Sequence, residues 1–319
     1  MSTAVGTRPR LGFAGAGWIG RNRLEAIAAS GAAEVAAVAD PAVPDCLSSF
    51  EELLDANVDG IVIATPSALH ADQAAAALER GLAVFCQKPL GRNAAETRRV
   101  VDAARRADRL LAVDLSYRFT AAAQAVREDV RSGRTGRVLA AQLVFHNAYG
   151  PDKEWFYDRD LAGGGCLIDL GIHLADLALW TLNFPEARVR SARIETPAAG
   201  QVEELALAEL DLGGAAVSLA CSWHLHAGRD AVIEAAFYGV DGGAALRNLD
   251  GSFYDLRAER YRGTVTEPLA APPDHWGGRA AVEWARRLAA GERFDAEAER
   301  LVTLAELVDA IYEEAACAS

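Results

Sequence analysis

The sequence predicts an α/β domain followed by an α+β domain. Three observations carry that reading. The chain has 319 residues, 51% of them hydrophobic, which is too long for one ordinary core. From residue 10 to about 118, short apolar runs alternate with helical stretches, the pattern of a parallel sheet with crossover helices. After Tyr117, Arg118 and Phe119 the texture changes to neighbouring strands joined by glycine-rich turns, the pattern of an antiparallel sheet. The expected division is 1–118 and 119–319, with the final helix able to pack back on the first domain.

In the first part, strands are expected at 11–14, 35–39, 60–64, 83–86 and 110–115, all short and apolar. Between them 18–29, 69–80 and 94–106 read as helices, because Ala, Leu, Glu and Arg dominate and Pro is absent. In the second part a helix is expected at 121–131 and strands at 138–145, 205–212, 215–223 and 231–238. Turns fall at Gly213-Gly214 and Asp241-Gly242-Gly243. Two helices close the chain, 277–290 and 296–315, the latter with Leu301, Leu304, Leu307, Val308 and Ile311 at helical spacing, read as packing.

The charge balance of 32 basic against 45 acidic residues, net −13, repels a phosphate backbone and argues against nucleic acid as a partner. The acidic residues are scattered, which suits a solvated surface. Cys46, Cys86, Cys166, Cys221 and Cys317 lie far apart with no C-x-x-C pair, so neither a disulfide framework nor a zinc knuckle is expected, and the cytoplasm fits best. The apolar stretch 11–20 is short, glycine-rich and followed by Arg21 and Arg23, unlike a secretion signal. No apolar run reaches the ~20 residues of a membrane span.

Three groups of residues point to chemistry. Gly15-Ala16-Gly17-Trp18-Ile19-Gly20 stands where a strand ends and a helix begins, so amide N–H groups and the helix dipole face outward with no Cβ in the way of a pyrophosphate. Asp40 ends the next strand, where a carboxylate holds a ribose 2′-hydroxyl and repels a 2′-phosphate. With no basic residue in the five that follow, NAD is expected over NADP.

Two further strand ends, Ala64-Thr65-Pro66-Ser67 with His70 close behind and Cys86-Gln87-Lys88-Pro89-Leu90, point to the same carboxyl edge of a parallel sheet. Taken singly, Pro66 and His70 read equally well as a helix start and a capping or core histidine, and Lys88 as an ordinary surface cation. The third group is Gly163-Gly164-Gly165 followed by Asp169 and His173. These two are four residues apart and share a face if the segment is helical, so the carboxylate would orient an imidazole; a surface ion pair is the bland alternative. Asp176 falls on the same side and reads as structural. His224 and His226, two apart on an expected strand, share a face without an evident third metal ligand.

In this order and spacing, the glycine motif, Asp40, Thr65-Pro66-x-x-x-His70, Lys88-Pro89 and Asp169-x-x-x-His173 resemble the glucose–fructose oxidoreductase / inositol dehydrogenase / MocA family over almost the whole chain. The resemblance implies an N-terminal Rossmann domain binding NAD, and a C-terminal domain with an open, mostly antiparallel sheet that forms homo-oligomers. It also implies a site where Lys88, Asp169 and His173 serve the nicotinamide. Gly15, Gly17, Trp18, Ile19, Gly20, Asp40, Thr65, Pro66, Ser67, His70 and Gln87 are then expected on the cofactor, and His146, Tyr149, Trp155, Tyr157 and Arg159, with Asn147, on a sugar or polyol.

Two departures stand out. Gln87 replaces the glutamate usual in the family, which removes a negative charge beside Lys88 while keeping an acceptor for a ribose hydroxyl. Only seven residues separate Asp40 from Ser48, too few for the usual helix and strand, so the second Rossmann helix is expected to be missing and the third strand missing or displaced.

The expected reaction is reversible oxidation of a secondary alcohol by NAD. An enzyme that retains NAD and uses transient oxidation for elimination or glycosidic cleavage is the alternative within the family, and a non-catalytic NAD- or sugar-sensing regulator the alternative outside it.

Overall fold

The computed structural model describes residues 8–198 and 201–317. In chain order the first elements are β1 (Arg10–Ala14), α1 (Trp18–Ser30), β2 (Glu34–Ala39), α2 (Phe50–Leu54), β3 (Gly60–Ile63), α3 (Ser67–Glu79), β4 (Ala83–Cys86), α4 (Ala94–Ala107) and β5 (Leu111–Val113). There follow α5 (Ala121–Arg131), β6 (Val138–Asn147), α6 (Arg159–Ala162), a π-helical turn at Leu167–Gly171 and α7 (Ile172–Thr181). Next come β7 (Ala187–Glu195), β8 (Leu205–Leu212), β9 (Ala215–Ser222), β10 (Ala231–Gly239), β11 (Gly243–Asn248), β12 (Leu256–Arg262) and β13 (Val265–Ala270). The chain closes with α8 (Arg279–Ala289) and α9 (Arg300–Cys317). Among the described residues two compact units result: 8–116 with 277–302, and 117–276 with 303–317.

The first unit is a parallel sheet of order β2-β1-β3-β4-β5. β3 and β4 are buried along their whole length, as strands covered on both faces must be. Val84 and Cys86 pack with Val100, Val101 and Ala104 of α4, and with Ala74 and Leu78 of α3. Trp284 of α8 lies with its ring centroid 5.7 Å from that of Phe85. The chain beyond β2 contains turns and then the five-residue α2, capped by Ser49 accepting from the Glu52 N–H. As the spacing predicts, no helix fills 41–49, β2 is the sheet edge, and the only pairing described beyond it is the bridge between Ala39 and Leu47.

The second unit is an eight-stranded sheet, β13-β12-β11-β10-β6-β9-β8-β7, antiparallel throughout except where β6 runs parallel to β9. Its covered face carries Leu143, Phe145, Leu219, Ile233 and Phe237 against the apolar α7. Asp176 of α7 is buried and takes a two-pronged ion pair from Arg118, whose guanidinium also lies over the Trp180 and Phe184 rings.

Several expectations are corrected here. β5 is shorter than expected: the Asp114 N–H makes a last bond to β4 at the Cys86 carbonyl, and the Leu115 N–H then turns back onto the Val113 carbonyl. The helix expected at 277–290 starts at Arg279, since Gly278 adopts φ +77° and a Cβ there would sit 2.4 Å from Ala26 Cβ. Residues 296–299 form a 3₁₀ turn before α9. β9 ends at Ser222, so His224 and His226 lie on no strand, and His224 has φ +56° with its Nδ1 3.1 Å from Glu204 Oε1. The helical run 159–181 does reach 23 residues of sufficient apolarity to cross a bilayer, a length the sequence conceals behind Gly163-Gly164-Gly165; its most apolar window is 83% buried inside the protein, as a core helix is.

Candidate active site

In the first unit the site is made of backbone. β1 delivers the chain to Gly15, whose N–H bonds to the Ala39 carbonyl at 2.9 Å and whose φ of +91° only glycine adopts without strain. A Cβ on Gly15 would lie 2.6 Å from the Ala64 carbonyl oxygen, and one on Gly20 only 2.0 Å from the Gly15 carbonyl oxygen, so the loop, α1 and β3 close on one another only without side chains. Gly17 caps α1 with no side-chain hydrogen bond, leaving first-turn amides for an external anion. Trp18 is exposed, Ile19 half-buried and Gly20 buried.

Asp40 braces this loop. Its Oδ2 accepts from the Ala16 N–H at 2.8 Å and its Oδ1 from the Ala42 N–H at 3.0 Å, each oxygen retaining lone pairs for hydroxyl donors. Thr65 donates through Oγ1 to Gln73 Oε1 at 2.7 Å, Pro66 is the N-cap of α3, and Ser67 is buried at its start. His70 is also buried. Its Nδ1 lies 2.6 Å from the Pro89 carbonyl oxygen and its Nε2 2.7 Å from that of Thr65, so the ring ties the β3 end to the cis Lys88-Pro89 segment. Burial pushes this imidazole below its ordinary range, against the two carbonyls that favour its protonated form. Lys88 and Gln87 are half-buried.

In the second unit the site is made of side chains. Asp169 lies in the π-helical turn and His173 in the first turn of α7, so the pair straddles a change of helical pitch instead of one regular helix. Asp169 Oδ2 accepts from Trp223 Nε1 at 3.2 Å. His173 is buried edge-on to Tyr117, centroids 5.0 Å apart. Tyr157 meets Trp223 edge-on at 5.5 Å and donates to the Pro151 carbonyl at 3.1 Å; burial raises its phenol, helped by Glu204 and Asp169. His146 Nδ1 lies 2.8 Å from Ser222 Oγ, and burial lowers its pKa. Asp169, Trp223 and Tyr157 are thus joined contact by contact, His146 pairs with Ser222, the residue before Trp223, and a depression of 310 Å³ opens beside Ser222, Trp223 and Glu204.

The other expected residues are peripheral to that group. Tyr149 is exposed with its ring 6.3 Å from Phe253, and its N–H bonds to Asn147 Oδ1 at 3.2 Å. Trp155 stacks on Phe156 at 3.9 Å, and Arg159 lies over the Tyr312 ring at 5.7 Å.

The glycines at 163–165 have a structural purpose the sequence does not disclose. Buried Glu203 accepts through Oε1 from the Gly165 N–H at 2.8 Å, the Leu167 N–H at 3.1 Å and Tyr312 Oη at 2.7 Å. A Cβ on Gly165 would fall 2.0 Å from the Glu203 carbonyl oxygen, and one on Gly164 2.1 Å from Tyr312 Oη. Glu203 and Tyr312 thereby fix the start of the turn that bears Asp169. Neither they nor Trp223, Ser222 and Tyr117 carry a local signal, because each meets the site through pairing distant in sequence.

A family of oxidoreductases with an NAD-binding Rossmann fold matches residues 10–115, and the GFO/IDH/MocA C-terminal domain matches residues 123–245. D-xylose 1-dehydrogenase (NADP(+)) 2 of Haloferax volcanii is 31% identical over 296 residues, 91% of this chain and 89% of that protein. The chain belongs to the GFO/IDH/MocA family. Rhizopine catabolism protein MocA of Rhizobium meliloti is 34% identical over 208 residues, 62% of this chain and 64% of that relative, so the match spans less than two thirds of its length. Levoglucosan dehydrogenase in complex with NADH and L-sorbose has the same fold, with TM-score 0.84 at 21% identity, covering 98% of this chain and 97% of that structure. As a GFO/IDH/MocA protein the chain carries an NAD(P)-type Rossmann unit, and the open amide end of α1 with the Cβ-free cradle of Gly15 and Gly20 fits a dinucleotide pyrophosphate.

Proposed function

We propose that this chain is an NAD(H)-dependent dehydrogenase or reductase that transfers a hydride between the nicotinamide and a secondary alcohol or ketone of a sugar or polyol. The observation that carries the reading is Asp40. Its carboxylate is bonded to the amide of the pyrophosphate loop itself, with no cation among the five residues after it, which favours a ribose hydroxyl over a 2′-phosphate. The relative named for NADP makes this preference a property to be measured on this chain.

Gly15, Gly17, Trp18, Ile19 and Gly20 would hold the pyrophosphate, Asp40 the adenine ribose, and Thr65, Pro66, Ser67 and Gln87 the nicotinamide half, with His70 bracing that edge from behind. Bound NAD supplies the hydride acceptor. His173, steadied by Asp169, takes the proton of the substrate hydroxyl, and Lys88 polarises the same oxygen. Asp169 is in turn held by Trp223. His146 and Tyr157 bind sugar hydroxyls, with Tyr149, Trp155 and Arg159 at the margin.

The first unit serves as the nucleotide domain and the second as the substrate domain, which also assembles copies of the chain through its sheet; exposed Leu139, Leu207 and Tyr238 on that sheet support this. The five free cysteines fit a cytoplasmic protein. The test is a panel of sugars, polyols and their keto forms with NAD, NADH and their phosphorylated counterparts, followed at the nicotinamide absorbance. Turnover with NAD(H) at least tenfold above NADP(H) is expected, and equal or better turnover with NADP(H) overturns the preference.

A further inference from the structure

Behind the end of β4 lies a buried polar group that the hydride-transfer reading does not use. Arg23 of α1 is 6% exposed and Asp114, just past β5, is 1% exposed. Arg23 Nε donates to Asp114 Oδ2 at 2.6 Å, and Gln87 Nε2 donates to that same oxygen at 2.5 Å. Arg23 Nη1 is anchored further by Asn22 Oδ1 at 2.6 Å. Asp114 Oδ1 is buried with no hydrogen-bond partner among the described residues.

A buried ion pair is a poor device for stability alone, because desolvation offsets most of its attraction. Its effect on the neighbouring amide is specific. A carboxylate only accepts, so it fixes which end of the Gln87 amide faces it: Nε2 turns inward and Oε1 is the end left to accept from a ligand. The backbone of Gln87 is equally fixed, its N–H bonding to the Ile63 carbonyl at 2.9 Å, while the Asp114 N–H bonds to the Cys86 carbonyl at 2.8 Å. A carboxylate at position 87 would instead meet the Asp114 carboxylate across the same short contact, two anions sharing one arginine.

We infer that Arg23 and Asp114 are positioning residues that orient Gln87 so that its side-chain oxygen accepts a ribose hydroxyl of the nicotinamide nucleotide, and that the negative charge of this corner resides on Asp114. The inference rests on the reading of the first unit as a nicotinamide-nucleotide site. It accounts for the departure at Gln87: a neutral side chain is required there because the adjacent buried position already holds the anion.

The experiment is titration of the full-length protein with NADH by fluorescence, at pH 5.5 and pH 8, alongside a thermal melt. Gln87→Glu should raise the Kd about tenfold at pH 8 and less at pH 5.5, where protonation lets one carboxyl donate to the other. Gln87→Glu combined with Asp114→Asn restores one anion and one amide and should return the Kd to within about threefold of native. Should Gln87→Glu fail to fold, Asp114→Asn alone answers the question: it keeps the shape but frees the Gln87 amide to turn, and should raise the Kd several-fold. A purely structural pair would move the melt while leaving the Kd of the folded protein and its pH dependence native, and that result overturns the inference. Failure of the double variant to recover does so as well. If the native protein binds neither NADH nor NADPH, the nucleotide reading falls and takes this inference with it; native binding with indifferent variants removes this inference alone.

Discussion

The two units build their sites from different material. In the first, the candidate cradle is made of main-chain amides, a cap position and glycines whose missing Cβ atoms let three segments close within 2.0–2.6 Å of where a side chain would begin. In the second, the polar group comes from β6, the loop after it, the π-helical turn and the end of β9, joined by single contacts such as Trp223 to Asp169. A backbone-built site is local in sequence and intolerant of added atoms. A site built of side chains is dispersed, and each member can be removed without closing the cradle that holds it.

The largest expected effect breaks chemistry without breaking binding. His173→Ala should lower kcat by roughly 10²–10⁴-fold while NADH affinity stays within about threefold of native, and Asp169→Asn should cost less, because Asn still steadies the ring. Steady-state rates with an identified substrate and a separate NADH titration decide it; near-native kcat in His173→Ala would unseat His173 as the base.

Gly20→Ala should do the reverse kind of damage, pressing a methyl onto the Gly15 carbonyl and costing about 1–3 kcal/mol of stability together with cofactor affinity. A denaturant melt and an NADH titration that both matched native would show that the loop yields more readily than its geometry implies.

Between these lies Tyr312→Phe, which removes one donor from buried Glu203 but leaves the Gly165 and Leu167 amides on it. A loss of about 1–2 kcal/mol in the melt is expected, with a kcat change that exposes any slackening of the turn bearing Asp169. Asp40→Ala should shift the NAD-to-NADP ratio of kcat/KM by about tenfold towards NADP, since it removes the charge that repels a 2′-phosphate.

The smallest effect is one of pH. Asp129 is held below the usual carboxylate range mainly by its bonds to Arg260, with Arg134 adding to it. A lowered folded pKa contributes fully above the unfolded value near ~3.9 and is lost as pH falls through the folded value. The stability gap between native and Asp129→Asn should therefore be present at pH 7 and narrow below pH ~4. A gap constant across that range would remove the ion pair as its cause.

The same contrast explains what was legible in the sequence. The glycine motif, Asp40 and the missing second helix could be read directly, because each is a statement about a few consecutive residues and the crossover they permit. The strands of the second sheet were legible from alternation. The π-helical turn was not, because Leu167–Gly171 has the composition of an ordinary helix, and Glu203, the carboxylate that accepts from the Gly165 and Leu167 amides at its start, lies 36 to 38 residues away. The Arg23–Asp114–Gln87 group was equally hidden: it joins residues up to 91 apart, and nothing near Arg23 distinguishes it from a surface arginine. The placement of His224 on a strand failed for a local reason, its left-handed backbone just past the end of β9.

The unit that begins the chain is also finished by it. Trp284 and the rest of α8 belong with β4 and α1, so the core assembled from residues 8–116 stays uncovered on one side until about residue 290 has been made. At ~5–20 residues per second on a ribosome, that interval lasts roughly ten seconds or more, during which the intervening sheet must be synthesised while Phe85 and Gly60 still lack their helix. A nascent chain halted at Trp276 should therefore be a holdase client, bind a hydrophobic dye and yield to protease within its first hundred residues, and release of that protection defect should coincide with emergence of α8 from the exit tunnel.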